Sequence, residues 1–176
     1  MNKRTNSSIY IISGPYGVGK STVTKALAED MEKLSLIEGD LIKKMLVGKE
    51  IPTWEQQQSI FWKNILSLTE NFIENNINVM IDYAVDSESL QWFCKQISEL
   101  NIKIYYVVLM ADGETLIRRL NKRGDDYLIE DSLYLLDQLE KELPNKNHLY
   151  DTTNKQPVEI INDLKSRFEQ FVFNFV

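Results

Sequence analysis

The chain reads as an α/β protein: a five-stranded parallel sheet with helices on both faces, three layers in all. Three observations predict this. Short runs rich in Val, Ile and Tyr alternate with stretches of helical period along the whole length. Three of those runs are apolar on both faces, as strands covered by helices on each side must be. The first run leads through a glycine-rich turn directly into a helix-prone stretch, which is the opening of a βα unit. Connections between parallel strands are then right-handed crossovers.

Taken in order, the first strand is Ser8–Ser13, built on Ile9-Tyr10-Ile11-Ile12, and residues 20–32 follow as a helix. Leu34–Glu38 is the second strand and residues 40–47 a short helix. Gly48 and Pro52 then interrupt the pattern. A long helix over residues 54–76 carries Ile60, Phe61, Ile65, Leu68 and Phe72 at helical spacing, a stripe most simply read as core. Asn78–Asp82 is the third strand, 87–100 a helix, Lys103–Met110 the fourth strand and 113–121 a helix. Beyond the charged break Gly124-Asp125-Asp126 come a helix over 128–143, a last strand over 148–151 and a final helix over 157–173. No repeat, low-complexity tract or long linker divides the chain, so residues 1–176 read as one domain.

Composition narrows the function. With 176 residues the chain can bury a sizeable core. The net charge of −6 argues against a general nucleic-acid binder, which would show a basic face. Basic residues gather at Lys43-Lys44-Lys49 and at Arg118-Arg119-Lys122-Arg123, where a solvated helix face is the plain reading. The single cysteine, Cys94, lies in an apolar helical stretch and reads as core, and with His148 the only histidine there is no Cys/His metal set. Residues 1–8 are polar, the apolar run behind them is too short for a secretion signal, and no stretch is long enough to span a bilayer. The expectation is a cytoplasmic monomer or homodimer with no membrane or nucleic-acid partner.

The turn after the first strand carries the chemistry. Gly14-Pro15-Tyr16-Gly17-Val18-Gly19-Lys20-Ser21 fits G-x-x-x-x-G-K-[ST], the P-loop, between a strand and a helix as the motif requires. Its backbone N–H groups cradle phosphate oxygens, and the helix N-terminus, extended here to Thr22, adds partial positive charge. Lys20 is placed to reach the β- and γ-phosphates and the Ser21 hydroxyl to bind Mg²⁺. The fold class is therefore the three-layer P-loop NTPase, and ATP with Mg²⁺ the expected ligand.

In an open α/β sheet ligands sit at the C-terminal strand ends. Asp40 follows the second strand and Gly39, placed to orient an acceptor hydroxyl and take its proton; it equally suits the N-cap of the next helix. Asp82 closes the third strand after Val79-Met80-Ile81, the pattern of a carboxylate serving Mg²⁺ or, alternatively, the acceptor. Tyr83, Trp54 and Trp62 are candidates to line an acceptor pocket or to be core. Arg118, Arg119 and Arg123 precede Gly124, and a lid over about residues 118–130 would bring Arg119 or Arg123 onto the transferring phosphoryl group and exclude water. Surface pairing with Glu114, Asp125 and Asp126 is the competing reading.

Residues 14–21, Glu38-Gly39-Asp40, Arg118 with Arg119 and Arg123, and Tyr150-Asp151-Thr152-Thr153 together resemble small P-loop kinases of the gluconate kinase and shikimate kinase type, with residues 37–54 similar to bacterial gluconate kinase-like ATPases. The resemblance implies transfer of the ATP γ-phosphoryl group to a hydroxyl of a small molecule such as a sugar acid, with Asp40 contacting that hydroxyl. The chain also departs from the pattern. It has no arginine between Arg4 and Arg118 to hold an acceptor carboxylate, where Lys43, Lys44, Lys49 or Lys63 could substitute without the bidentate fork, no histidine after Asp40, and Ile81-Asp82-Tyr83 in place of a glycine-rich third-strand motif. The acceptor is thus open. A nucleotide-dependent switch, a polynucleotide 5′-kinase and a kinase acting on a bulky antibiotic are the alternatives.

Overall fold

The computed structural model describes residues 7–174. Five strands, β1 (Ser8–Ser13), β2 (Leu34–Glu38), β3 (Asn78–Asp82), β4 (Lys103–Met110) and β5 (Leu149–Asp151), form one sheet in the order β2-β3-β1-β4-β5. Every pairing is parallel. Seven α-helices cover its faces: α1 (Lys20–Glu29), α2 (Gly39–Lys43), α3 (Trp54–Glu74), α4 (Ser87–Ile97), α5 (Gly113–Arg123), α6 (Ile129–Lys141) and α7 (Pro157–Arg167). The strand order reverses beside β1, so the crevice at the C-terminal edge opens above the loop that follows β1.

The period of two along the strands builds two cores. Ile9 and Ile11 of β1, Val79 and Ile81 of β3 and Tyr106 and Val108 of β4 point to one face and pack under α3 and α4 with Ile65, Ile73 and Phe93. Ile12, Met80, Val107 and Leu109 point to the other and pack with Leu27, Leu116 and Leu164 of α1, α5 and α7. Each such fully buried aliphatic or aromatic side chain contributes about 1.5–3 kcal/mol against exposure. Cys94 is buried in the first core, which pushes its thiol pKa up to about 12, so it is packing and not chemistry. Among the described residues no helix is long and apolar enough to cross a membrane.

Several boundaries differ from the sequence expectation. The helix expected over 40–47 stops at Lys43, because Leu41, Met45, Leu46 and Val47 are exposed and no burial supports a further turn. α1 ends at Glu29 with Asp30 as its C-cap. The expected helix over 157–173 ends at Arg167 and tightens into a 3₁₀ turn, Phe168–Phe171, which turns Phe168 onto Tyr10 and Phe171 onto Tyr150. The stripe on the long helix is shifted: Ile60 and Leu68 are partly exposed, whereas Trp62, Thr69 and Ile73 are buried beside Phe61 and Ile65. Residues 1–6, part of the polar stretch 1–8 in the sequence reading, lie outside the described residues.

Candidate active site

The turn from β1 to α1 wraps a space at the C-terminal edge of the sheet. Gly14 has φ +141°, and a Cβ there would lie 2.3 Å from the Leu109 carbonyl oxygen, so only glycine lets the loop rest on β4. Val18 is buried in the second core and anchors the loop from below. The Arg119 guanidinium ties it from the side, donating to the Val18 carbonyl at 3.1 Å and to Thr152 Oγ1 and the Thr152 carbonyl at 3.2 and 2.9 Å. Ser132 of α6 donates to the Tyr16 carbonyl at 2.7 Å. The loop is thus fixed by packing and by three other segments before any ligand is considered.

Lys20 Nζ lies within the loop, donating to the carbonyls of Gly14 at 2.8 Å and Pro15 at 3.0 Å. Burial pulls its pKa down, while Asp82 and Asp40 act in the opposite direction. β-sheet register places Asp82 opposite Ile12 on one side and Glu38 on the other, at the rim next to the loop. Burial pushes the Asp82 carboxyl above the usual range; the Ser21 and Thr24 hydroxyls and the Lys20 charge oppose that shift. Thr24 Oγ1 donates to Asp82 Oδ2 at 3.2 Å. Glu38 is neutralised by Lys25 at 2.9 Å.

These groups open on one cavity of about 660 Å³, within the range of small-molecule sites. The P-loop residues Tyr16, Gly17, Gly19, Lys20, Ser21 and Thr22 line it, and so do Asp40 and Asp82. Gly14, Pro15 and Val18 shape the loop from behind. Asp40 is not a helix cap, as the sequence alternative had it: Glu38 occupies the N-cap and Asp40 sits in the first turn of α2, exposed and facing the cavity. Arg123 lines the cavity and pairs with Asp125 at 3.0 Å. Arg119 does not line it, because its guanidinium is committed to Val18 and Thr152. The structure therefore brings Lys20, Ser21, Asp40, Asp82 and Arg123 together and leaves Arg119 outside.

The opposite wall was only half visible in the sequence. Trp54 and Tyr83 line the cavity, while Trp62 is buried core, edge-on to Tyr83. Lys43, read as part of a solvated basic run, instead stands over the rings of Tyr83, Trp54 and Phe61 at 4.9, 5.3 and 5.6 Å. Such contacts are each worth about 0.5–2 kcal/mol. The missing signal was Gly39: a Cβ there would meet the Tyr83 ring at 2.5 Å, so the glycine before Asp40 makes room for the ring that Lys43 sits on. Ser132 and Thr24, which brace the loop and Asp82, carried no pattern of their own.

Fold and site together define a small P-loop protein with a five-stranded parallel sheet. A family model described as an AAA domain matches residues 9–144, and the chain belongs to that family. It is similar to the guanylate kinase of Mycoplasma genitalium, 26% identical over 184 residues covering 90% of this chain and 73% of that one. Among solved structures it superposes on the tunicamycin resistance protein of Deinococcus radiodurans with a TM-score of 0.72 at 16% identity, covering 97% of this chain and 100% of that one. A gluconokinase from Sinorhizobium meliloti 1021 follows the same course with a TM-score of 0.64 at 19% identity, over 96% and 94% of the two chains. At these identities the structural likenesses speak for the fold.

Proposed function

We propose that this chain is an ATP-dependent phosphotransferase that moves the γ-phosphoryl group to a hydroxyl of a small molecule, a sugar acid or similar. The observation that carries the reading is that Asp40 shares one cavity with Lys20 and Ser21. A switch that only binds and hydrolyses nucleotide needs no second carboxylate facing a walled acceptor space. Residues 1–176 would act as one domain, in the cytoplasm, as a monomer or homodimer, with 118–130 as the lid.

The loop backbone and Lys20 would hold the phosphates. Ser21 and Asp82 supply one hydroxyl and one carboxylate, too few to hold a metal unaided and enough for Mg²⁺ shared with nucleotide phosphates. When bound, Mg²⁺ neutralises charge on the phosphate oxygens. Asp40 would accept the acceptor's hydroxyl proton as that oxygen bonds to the γ-phosphorus and ADP leaves. Arg123 would leave Asp125 to meet the charge on the transferring group, and Arg119 would set the shape of the loop.

The guanylate kinase relatives, at 24–26% identity over at least 90% of the chain, favour a second acceptor class, a nucleoside monophosphate. The deciding experiment measures ADP release from Mg-ATP across sugar acids, sugars, nucleosides, nucleoside monophosphates, aminoglycosides and a 5′-hydroxyl oligonucleotide, with Lys20→Ala as blank. Acceptor-dependent release is expected. Tight ATP binding with no stimulation by any acceptor would point to the switch instead.

A further inference from the structure

The Lys43 ammonium lies where α2, the start of α3 and the turn after β3 meet, at the end of the cavity away from the P-loop helix. Its three rings come from separate segments: Tyr83 just past β3, Trp54 as the first residue of α3, and Phe61 further along that helix. Phe61 is buried and Tyr83 half-buried, and both pack in the same aromatic cluster with Trp62. Two of the rings are thus held by the core, and the exposed Trp54 ring closes the third side. The three rings attract a cation but give its N–H donors no oxygen to bond to.

Lys43 makes no hydrogen bond and no ion pair among the described residues. Asp40, three residues earlier in the same short helix, reaches it through the field alone. Burial pulls the ammonium's pKa down and Asp40 only partly restores it, as befits a cation short of partners. A lysine that merely covered the rings with its stem would carry its head out to water; this one is half-buried with its head over the ring faces and open to the cavity.

We infer that Lys43 is the residue that selects the acceptor: seated on Tyr83, Trp54 and Phe61, its ammonium receives an anionic oxygen group, a carboxylate or a phosphate, carried by the hydroxyl-bearing substrate. The role as acceptor selector rests on the phosphotransferase reading; the binding of the anion does not. Asp40 and Lys43 share one face of α2, so the reacting hydroxyl and the anionic group of one molecule are met by neighbouring side chains. A lone ammonium lacks the paired donors of a guanidinium, so it selects for charge more than for geometry. The absence of arginine between Arg4 and Arg118 is thereby compensated by one lysine whose position the rings fix.

Two measurements test this. In the first, inorganic phosphate and acetate are titrated into Lys20→Ala, which blanks the P-loop, with tryptophan fluorescence reporting from Trp54 beside Lys43. A saturable response is expected that survives in Lys20→Ala and is lost in Lys20→Ala/Lys43→Met, with circular dichroism confirming that both fold. The anion with the tighter response names the group. No response in Lys20→Ala, or one that persists without Lys43, overturns the inference.

The second compares matched hydroxyl acceptors with and without the anionic group: gluconate against sorbitol, and ribose 5-phosphate against ribose. Lys43→Met should raise KM for the anionic member at least about tenfold, leave the neutral member unchanged, and be largely rescued by Lys43→Arg. Equal use of charged and neutral acceptors by the wild type overturns the inference and leaves the kinase reading intact. Anion binding at Lys43 without turnover of any acceptor supports the inference and sinks the kinase reading alone.

Discussion

The two rims of the cavity are built by different means. On the donor rim, backbone does the work: Gly14 lies against a strand carbonyl, Val18 is core, and the carbonyls of Tyr16, Val18 and Gly14 are each bound by a side chain. Its carboxylate, Asp82, already holds a hydroxyl. On the acceptor rim, side chains do the work and are left unfinished. Asp40 is exposed, Lys43 has rings but no oxygen, and in the core behind Tyr83, Trp62 Nε1 is the one buried side-chain polar atom without a hydrogen bond among the described residues. A buried donor in that state costs about 1–3 kcal/mol. The difference fits a protein whose donor ligand is common to its fold and whose acceptor is its own.

The sharpest break of that comparison is to remove one charge from each rim. Lys20→Ala should lower transfer by more than about a thousandfold and weaken Mg-ATP binding with it. Asp40→Asn should lower kcat by about a hundredfold while ATP affinity, measured by calorimetry, stays at the wild-type value. Wild-type turnover by Asp40→Asn would remove Asp40 from the chemistry and the acceptor rim from this account.

Glycine substitutions sharpen the same contrast as stability. Gly14→Ala puts a methyl onto backbone that cannot move, at a φ that disfavours side chains, and should cost about 3 kcal/mol in urea unfolding. Gly39→Ala, at an ordinary φ, meets the Tyr83 ring at 2.5 Å and its Cβ at 2.9 Å, so Tyr83 must shift as a whole, at about 1–2 kcal/mol. The shift would move Tyr83 against Lys43, so this variant's larger effect should be on acceptor KM. If the two variants lost equal stability, the acceptor rim would be as rigid as the donor rim.

This contrast also explains what could be read from the chain. The strands ending in Ser13, Glu38, Asp82 and Met110 have the bounds that their runs predict, and in β1, β3 and β4 the reason is that a strand buried on both faces leaves an unbroken signal. The P-loop was legible because its geometry is local. Arg119 and Arg123 looked equivalent at a spacing of four, and only tertiary placement separates them: one turns back to Val18 and the other opens on the cavity. Lys43 stood level with Lys44, Lys49 and Lys63 as a replacement for the missing arginine, for the same reason. Its neighbours Lys44 and Lys49 are exposed, and nothing local distinguishes a lysine that three distant rings will seat.

The smallest expected effect lies on Asp82, the buried acid of the site. Burial holds its carboxyl pKa above the unfolded value despite the Ser21, Lys20 and Thr24 contributions. The folded protein therefore binds that proton more tightly than the unfolded chain. The stabilisation is fully present below the ordinary carboxylate pKa and is lost as pH rises through the folded value. Above that value the buried Asp82 charge is a cost to the folded protein. Asp82→Asn keeps an oxygen for Thr24 and removes the charge, so without ligand it should melt slightly above the wild type at pH 7. That margin should shrink toward zero as pH falls past about 4. Mg²⁺ should at the same time lose its effect on ATP affinity. An Asp82→Asn protein less stable than the wild type at pH 7 would mean that the carboxylate is held for the fold and carries no cost in the free protein.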